Sequence, residues 1–177
     1  SLSVVIPVYR SETVLPKLMA RLALVLPNIA MKYEVILVND DSPDQSWQII
    51  LELIKKDPWI RGINLKRNYG QHNATLCGVR AAHYEYILTM DDDLQHPPEE
   101  IHKLIEKITE GYDVVYGIPI ELPHSWWRNI MSRLTKRLLA YTMNVPFIRD
   151  LSAFRVFRAH LRNAFENFHN PNVILDV

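Results

Sequence analysis

Three consecutive carboxylates, Asp91-Asp92-Asp93, close an apolar, β-prone run, Tyr86-Ile87-Leu88-Thr89-Met90. They are followed by Leu94-Gln95-His96 and then Pro97-Pro98, a pair able to open a helix. Along an extended chain Asp91 and Asp93 point to the same side, roughly 6–7 Å apart at about 3.3 Å per residue. A slight turn at the strand end lets both converge on one hard cation. Without a cation, like charges about 4 Å apart repel by roughly 4 kcal/mol at an effective dielectric near 20. The plainer alternative is a solvated acidic loop capping the next helix, since acids favour helix N-termini. The position at the mouth of a buried strand, where α/β folds bind ligands, favours the cation. An EF-hand is excluded, because its sixth and twelfth positions counted from Asp91 hold His96 and His102 instead of Gly and Glu. A phosphatase with a nucleophilic first Asp also carries D-x-D after a strand, but it leaves the rest of the chain unexplained.

The elements that must position these acids follow from the periodicity. Leu2 to Val8 reads as a buried strand, and Leu15, Leu18, Met19, Leu22 and Leu26 as an amphipathic helix stopping at Pro27. Tyr33 to Val38 is a second strand, and Trp47, Ile50, Leu51 and Ile54 are the stripe of a second helix, with Trp47 assigned to the core. Ile63 to Leu65 reads as a third strand, and residues 71–83 as a helix of small residues able to pack closely on a sheet. Tyr86 to Met90 is a fourth strand. Ile101, Leu104, Ile105 and Ile108 mark a helix closed by Gly111, and Val114 to Tyr116 a fifth strand. This alternation predicts an α/β fold with a mostly parallel sheet flanked by helices on both faces. Polar residues recur where the strands end: Tyr9 to Glu12, Asn39 to Asp41, Asn68 to Gly70 and Asp91 to Asp93. In a parallel sheet these ends meet in one ligand site. Neither G-x-G-x-x-G nor a P-loop occurs, so phosphates are not held by a glycine cradle, and a cation on the aspartates is the natural substitute.

The 177 residues suffice for one domain with a sizeable core, and the 48% hydrophobic and 23% charged content is ordinary for a globular protein. The net charge of zero argues against nucleic acid as a partner. A single cysteine, Cys77, excludes an internal disulfide, suits a reducing compartment and reads as a small buried apolar residue. No signal peptide and no run of 18 apolar residues stands out. The chain starts almost inside a strand and stops in Val173-Ile174-Leu175, so the expectation is one domain over 1–177 that is cut at its C-terminal end. From His124 to Arg162 eight basic residues face one acid, Asp150. Within that segment Trp127, Ile130, Met131, Leu134, Leu138 and Tyr141 make an apolar stripe. A helix over 124–145 could thus lie on an anionic membrane surface, or pack on the sheet with a solvated basic face.

Five segments in order resemble family 2 glycosyltransferases of the GT-A fold. They are Val4-Val5-Ile6-Pro7-Val8-Tyr9, Asn39-Asp40-Asp41-Ser42-Pro43-Asp44, Arg67-Asn68-Tyr69-Gly70-Gln71-His72-Asn73-Ala74, Asp91 through Glu99, and Gly111-Tyr112-Asp113-Val114-Val115-Tyr116-Gly117. With Arg149-Asp150 and Phe154-Arg155 added, the chain is most similar to the polyprenyl-phosphate group, such as dolichol-phosphate mannose synthase and undecaprenyl-phosphate aminoarabinose transferase. The resemblance implies that Pro7, Tyr9, Val38 and Asp40 bracket the base and ribose of a nucleotide-sugar donor, with Asp92 nearby. It implies Mg2+ or Mn2+ on Asp91 and Asp93, with Gln95 as a further ligand. Arg128 and Ser132, four apart and so on one helical face, would hold the phosphate of a polyprenyl phosphate acceptor, and Asp150 would stand near it. Where the family usually has Asn-Glu after the tyrosine this chain has Arg10-Ser11 and then Glu12, so both Ser11 and Glu12 are candidates for the nucleotide. Asp41 occupies a position usually held by glycine and must tolerate a left-handed backbone. The implied setting is the cytoplasmic face of a membrane, peripheral over these residues, with C-terminal membrane helices beyond them.

The implied chemistry is inverting transfer to the lipid phosphate, which is largely ionised at neutral pH with a second pKa near 6 and so needs no strong base. A divalent cation on Asp91 and Asp93 would neutralise the departing nucleotide diphosphate. Asp93, Asp150 and Arg128 are the expected catalytic residues. Two rivals differ in kind. One is a glycosyltransferase of the same fold acting on a sugar hydroxyl, for which Asp150 would serve as base. The other is a catalytically silent nucleotide-binding domain that recruits partners to membranes.

Overall fold

The computed structural model describes residues 1–118 and 153–165. Its elements in order are β1 (Leu2–Val8), α1 (Leu15–Ile29), β2 (Tyr33–Asn39), α2 (Ser46–Lys56), β3 (Ile60–Asn64), α3 (Gln71–Ala81) and β4 (Tyr86–Thr89). There follow a 3-10 turn (Pro98–Glu100), α4 (Ile101–Thr109), β5 (Val114–Tyr116), β6 (Arg155–Arg158) and a 3-10 segment (Ala159–Phe165). The sheet order is β3-β2-β1-β4-β6-β5. The pairs β1–β2, β1–β4 and β2–β3 are parallel, whereas β6 runs antiparallel to both of its neighbours.

β1 is buried throughout and apolar but for Ser3, because both of its faces are covered, as in parallel sheets generally. Leu2, Val4, Ile6 and Val8 join Leu15, Leu18 and Leu22 of α1, Ile50 of α2 and Ile101 and Ile108 of α4 in one core. Val5 turns to the other face, where Ile36, Val38, Ile87, Phe157 and the α3 residues Ala74 and Val79 form a second. The small residues of α3 bring its backbone against the sheet, as their sequence suggested. A Cβ at Gly78 would come within 2.4 Å of Val5 Cγ1. Trp47 packs against the first core as expected, and Cys77 is a half-buried free thiol that burial pushes up in pKa.

Three expectations need correction. α1 does not stop at Pro27 but continues to Ile29. A proline so near the end forfeits little, since the residue four earlier, Ala23, faces solvent. β3 runs Ile60–Asn64 instead of Ile63 to Leu65, because its backbone is recruited by β2, with Val35 opposite Ile60 and Asn39 opposite Asn64. β6 carries no strand signal in the sequence. Its Arg-Val-Phe-Arg sequence has charge at both ends, and only its place between β4 and β5 makes it sheet.

At the N-terminal ends of the parallel strands, Glu34 ties the layers together. Its Oε1 accepts from Ser3 Oγ (2.7 Å) and from the His83 backbone N–H (2.7 Å), and its Oε2 from Arg61 Nη1 (2.7 Å). Burial by itself would raise the Glu34 carboxyl, but the bonds from Arg61, Ser3 and His83 outweigh it and hold the group below the usual carboxylate range. A carboxylate depressed in the folded state adds stability above its unfolded pKa, about 4.3, and loses it as pH falls through the folded value. Glu34→Ala is therefore expected to cost about 2–3 kcal/mol at neutral pH. That deficit should shrink as pH drops below about 4.3. Denaturant melts of parent and variant at pH 7 and pH 3 check this, and an equal deficit at both would exclude the linkage.

Candidate active site

Strands β2 and β3 lie to one side of β1 and β4 to the other, so the chain direction across the sheet reverses between β1 and β4. This is the switch point at which open α/β sheets leave a crevice. β1 also runs three residues beyond its last pairing with β4, Val5 with Thr89. The loop after β4 is thereby set beside the end of β1. A cleft of about 330 Å3 opens there, lined by Pro7, Val8, Tyr9, Asp40, Asn68, Gly70, Gln71, Asp91, Asp92 and Asp93. The ends of four strands thus meet in one site, as the polar strand ends required.

The acids differ in their surroundings. Asp91 is partly buried, and Gln71 Nε2 donates to its Oδ1 at 2.5 Å. Asp92 accepts from the buried Ser11 hydroxyl and from the Tyr9 backbone N–H. Asp93 is exposed, and its Oδ1 accepts from the Gln95 backbone N–H at 3.0 Å. Burial pushes the Asp91 carboxyl up, the like charges of Asp93 and Asp92 push it further, and His96 opposes them. Burial also raises Asp92, with Asp93 adding to it and the bonds from Ser11 and Tyr9 working against it. The three carboxylates offer oxygen donors, which suit a hard cation. Among the described residues no group of three His, Cys, Asp or Glu side chains is gathered to hold a metal. Asp91 and Asp93 could thus supply only part of a coordination shell, leaving room for the oxygens of a ligand.

Asp40 is buried at the end of β2 and uses both oxygens on the loop before α3, accepting from the N–H groups of Tyr69 (2.7 Å) and Gly70 (2.8 Å). The Tyr9 and Tyr69 rings are exposed at the rim, with the Arg10 and Arg67 guanidinium carbons 5.4 and 4.6 Å from the respective ring centres. Three non-glycine residues around the cleft hold a left-handed backbone: Arg10 (φ 58°), Asp41 (φ 55°) and Leu94 (φ 62°). Each follows a different strand, and strain of this kind gathers where a binding loop is held in place. Asp41 was anticipated; Arg10 and Leu94 carry no side-chain signal for it.

Not every expected residue reaches the cleft. Val38 is buried beneath α3, where its Cγ2 would lie 3.0 Å from a Cβ at Gly78. Ser11 stands behind Asp92. Glu12 turns aside, its Oε2 accepting from the Gln45 N–H at 2.9 Å. The Gln95 side chain is exposed on the loop beyond Asp93. Arg128, Ser132 and Asp150, and the segment 124–145, lie outside the described residues. Gln71 carries no individual signal in the sequence, although the Arg67–Ala74 segment that contains it is one of the five that resemble the family.

A mostly parallel sheet with an acidic loop at its switch point defines this as an α/β domain of the GT-A class. The chain belongs to glycosyl transferase family 2, whose profile matches residues 3–168. Among solved structures it is similar to S. aureus TarS 1-349, at 21% identity over 97% of this chain and 51% of that one, with a TM-score of 0.67. The same protein in complex with UDP-GlcNAc matches at 21% identity over 93% and 47%, with a TM-score of 0.65. Mannosyltransferase PcManGT from Pyrobaculum calidifontis, in complex with GDP-Man and Mn2+, matches at 16% identity over 99% and 49%, with a TM-score of 0.71. At these identities the likeness is one of fold, and the chain spans about half the length of each.

A carboxyl raised in the folded state binds its proton more tightly there, so its contribution to stability falls as pH rises through the folded value. Asp91→Asn should consequently melt at or above the parent at pH 7, with the difference closing below about pH 4, where the parent carboxyl is protonated in both states. Scanning calorimetry checks it, and a lower melting temperature for the variant at pH 7 would exclude net repulsion. Asp40→Asn replaces one acceptor oxygen by a donor facing an N–H. It should loosen the 68–70 loop by about 1–3 kcal/mol, read as faster hydrogen exchange at the Tyr69 and Gly70 amides. Unchanged exchange would mean that the loop is held by other contacts.

Proposed function

We propose that this domain transfers a sugar, with inversion, from a nucleotide-sugar donor to a polyprenyl phosphate at a membrane surface. The observation that carries the reading is the meeting of Pro7, Tyr9 and Asp40 with Asp91, Asp92 and Asp93 in one cleft. The complexes of similar folds with UDP-GlcNAc and with GDP-Man and Mn2+ support a nucleotide-sugar donor and a divalent cation. Asp91 and Asp93 would hold Mg2+ or Mn2+, with Gln95 on the same loop. A cation bound there supplies Lewis-acid neutralisation of the departing diphosphate.

The chain's own groups do the positioning. Tyr9 offers an exposed ring for a base to stack on, and Asp40 fixes the loop that walls the opposite side. Asp92, through Ser11 and Tyr9, fastens the end of β1 to the acidic loop, and Gln71 orients Asp91. Arg128 and Ser132 would grip the acceptor phosphate by charge-assisted hydrogen bonds, and Asp150 would orient groups beside it. The basic, apolar-striped segment 124–145 would lie on the cytoplasmic face of the membrane. Among the described residues no helix is long and apolar enough to cross a membrane.

The test is mass spectrometry of products from a nucleotide-sugar panel incubated with the chain, Mn2+ and either polyprenyl phosphate or an oligosaccharide acceptor. Transfer to the lipid phosphate, abolished by chelator, is the expected result. Arg128→Ala should slow it about ten- to a hundredfold, the loss of one charge-assisted contact. Arg128→Lys should recover only part, since lysine keeps the charge but not the planar fork. Cosedimentation with anionic liposomes should survive Arg128→Ala and fail at high salt. Transfer by Arg128→Ala at the parent rate would overturn the lipid-phosphate assignment, and transfer to the oligosaccharide alone would replace it with a hydroxyl acceptor.

A further inference from the structure

A second cleft, of about 570 Å3, opens at the opposite ends of the strands, lined by Arg61, Arg80, Ala81, Ala82, His83 and Arg162. Arg61 stands near the start of β3, Ala81 closes α3, and Arg162 lies in the 3-10 segment after β6. Residues a hundred positions apart are therefore gathered here by the topology of the sheet. β1 alone has seven residues, so at about 3.3 Å each roughly 20 Å separates this cleft from the acidic one.

Among the described residues, Arg61 and Arg162 keep donors that the fold does not engage. Arg61 commits only Nη1, which donates to Glu34 Oε2 at 2.7 Å and to the Ala81 carbonyl at 2.9 Å and lies 3.1 Å from His83 Nδ1. Arg162 donates through Nη1 to the Ala82 carbonyl. Among the described residues, nothing accepts from Nε or Nη2 of either arginine. The carboxylate that meets Arg61, Glu34, is itself only 6% exposed and sits behind the guanidinium. The C-terminus of α3 would by itself repel an anion, since its carbonyls carry the negative end of the helix dipole. Two guanidinium groups cover the Ala81 and Ala82 carbonyls and, among the described residues, keep donors in hand, and a planar fork of N–H groups matches the oxygens of a phosphate. We propose that this cleft binds a phosphate monoester group, at a site separate from the donor cleft and independent of the transfer reaction assigned to it.

The experiment is a titration of the 177-residue chain with inorganic phosphate, chloride being withdrawn to hold ionic strength constant, followed by the arginine Nε–H resonances. Saturable shifts of the Arg61 and Arg162 signals are expected, and they should persist in Asp91→Asn, whose substitution lies in the other cleft. Arg162→Gln should weaken binding about tenfold or more, as loss of a charge-assisted contact does. Arg61→Lys, which keeps the charge opposite Glu34 but loses the fork, should weaken binding without lowering the melting temperature. Vesicles of phosphatidylcholine with and without phosphatidic acid distinguish the source. Cosedimentation that needs phosphatidic acid and Arg162 identifies a lipid headgroup, whereas saturation by inorganic phosphate without vesicle binding identifies a soluble phosphate. The proposal fails if neither phosphate nor phosphatidic acid gives an Arg162-dependent response, or if the phosphate response disappears in Asp91→Asn.

Discussion

β1 is buried along its whole length, between two parallel neighbours and under helices on both faces, and the rest of the domain is arranged by that burial. A strand with no polar face cannot sit at an edge, so β2 and β4 must flank it. Because β2 continues to β3 on one side while β4 lies on the other, the loops after β1 and β4 diverge. The crevice between them is a consequence of connectivity, and the acids only occupy it. Packing in the two cores thus holds open a polar site.

The acidic loop is the unfavourable part of this bargain. Asp91 and Asp92 are both pushed toward protonation by burial and by the charge of Asp93, and Leu94 adopts a left-handed backbone directly after Asp93. Such a loop persists because surrounding contacts fix it. Ser11 and the Tyr9 N–H hold Asp92, Gln71 holds Asp91, and the Arg21–Glu99 pair joins α1 to the turn that follows. Charge held in an unfavourable arrangement by its scaffold is what a site for a cation and an anionic ligand requires, since binding relieves it.

A net charge of zero describes this protein poorly. Within the described residues the two ends of the parallel strands have opposite character: Asp40, Asp91, Asp92 and Asp93 line one cleft, and Arg61, Arg80 and Arg162 line the other. Summed charge cancels while local fields do not, and ligands respond to the local field. The arginines of the basic cleft are scattered over a hundred positions, and only Arg162 falls in the basic segment that ends with it, so no local pattern announces the cleft.

The sequence by itself determined the layered α/β architecture, the existence of a polar site at the strand ends, and several of its residues. Buried parallel strands leave uninterrupted apolar runs, amphipathic helices leave their period, and Asp91–Asp93 at the end of such a run has few other uses. Even Asp41's left-handed backbone was legible, from an acid standing where glycine is usual. What tertiary structure decided is what depends on partners distant in sequence. β6 is a strand only because β4 and β5 offer it hydrogen-bonding edges. Val38, expected beside the nucleotide, is covered by α3, since the alternation of β2 turns that position inward. Asp40 spends its oxygens on Tyr69 and Gly70, nearly thirty residues away. Periodicity reports how each segment meets water or core, but the choice of which segments meet one another is made by packing of the whole chain.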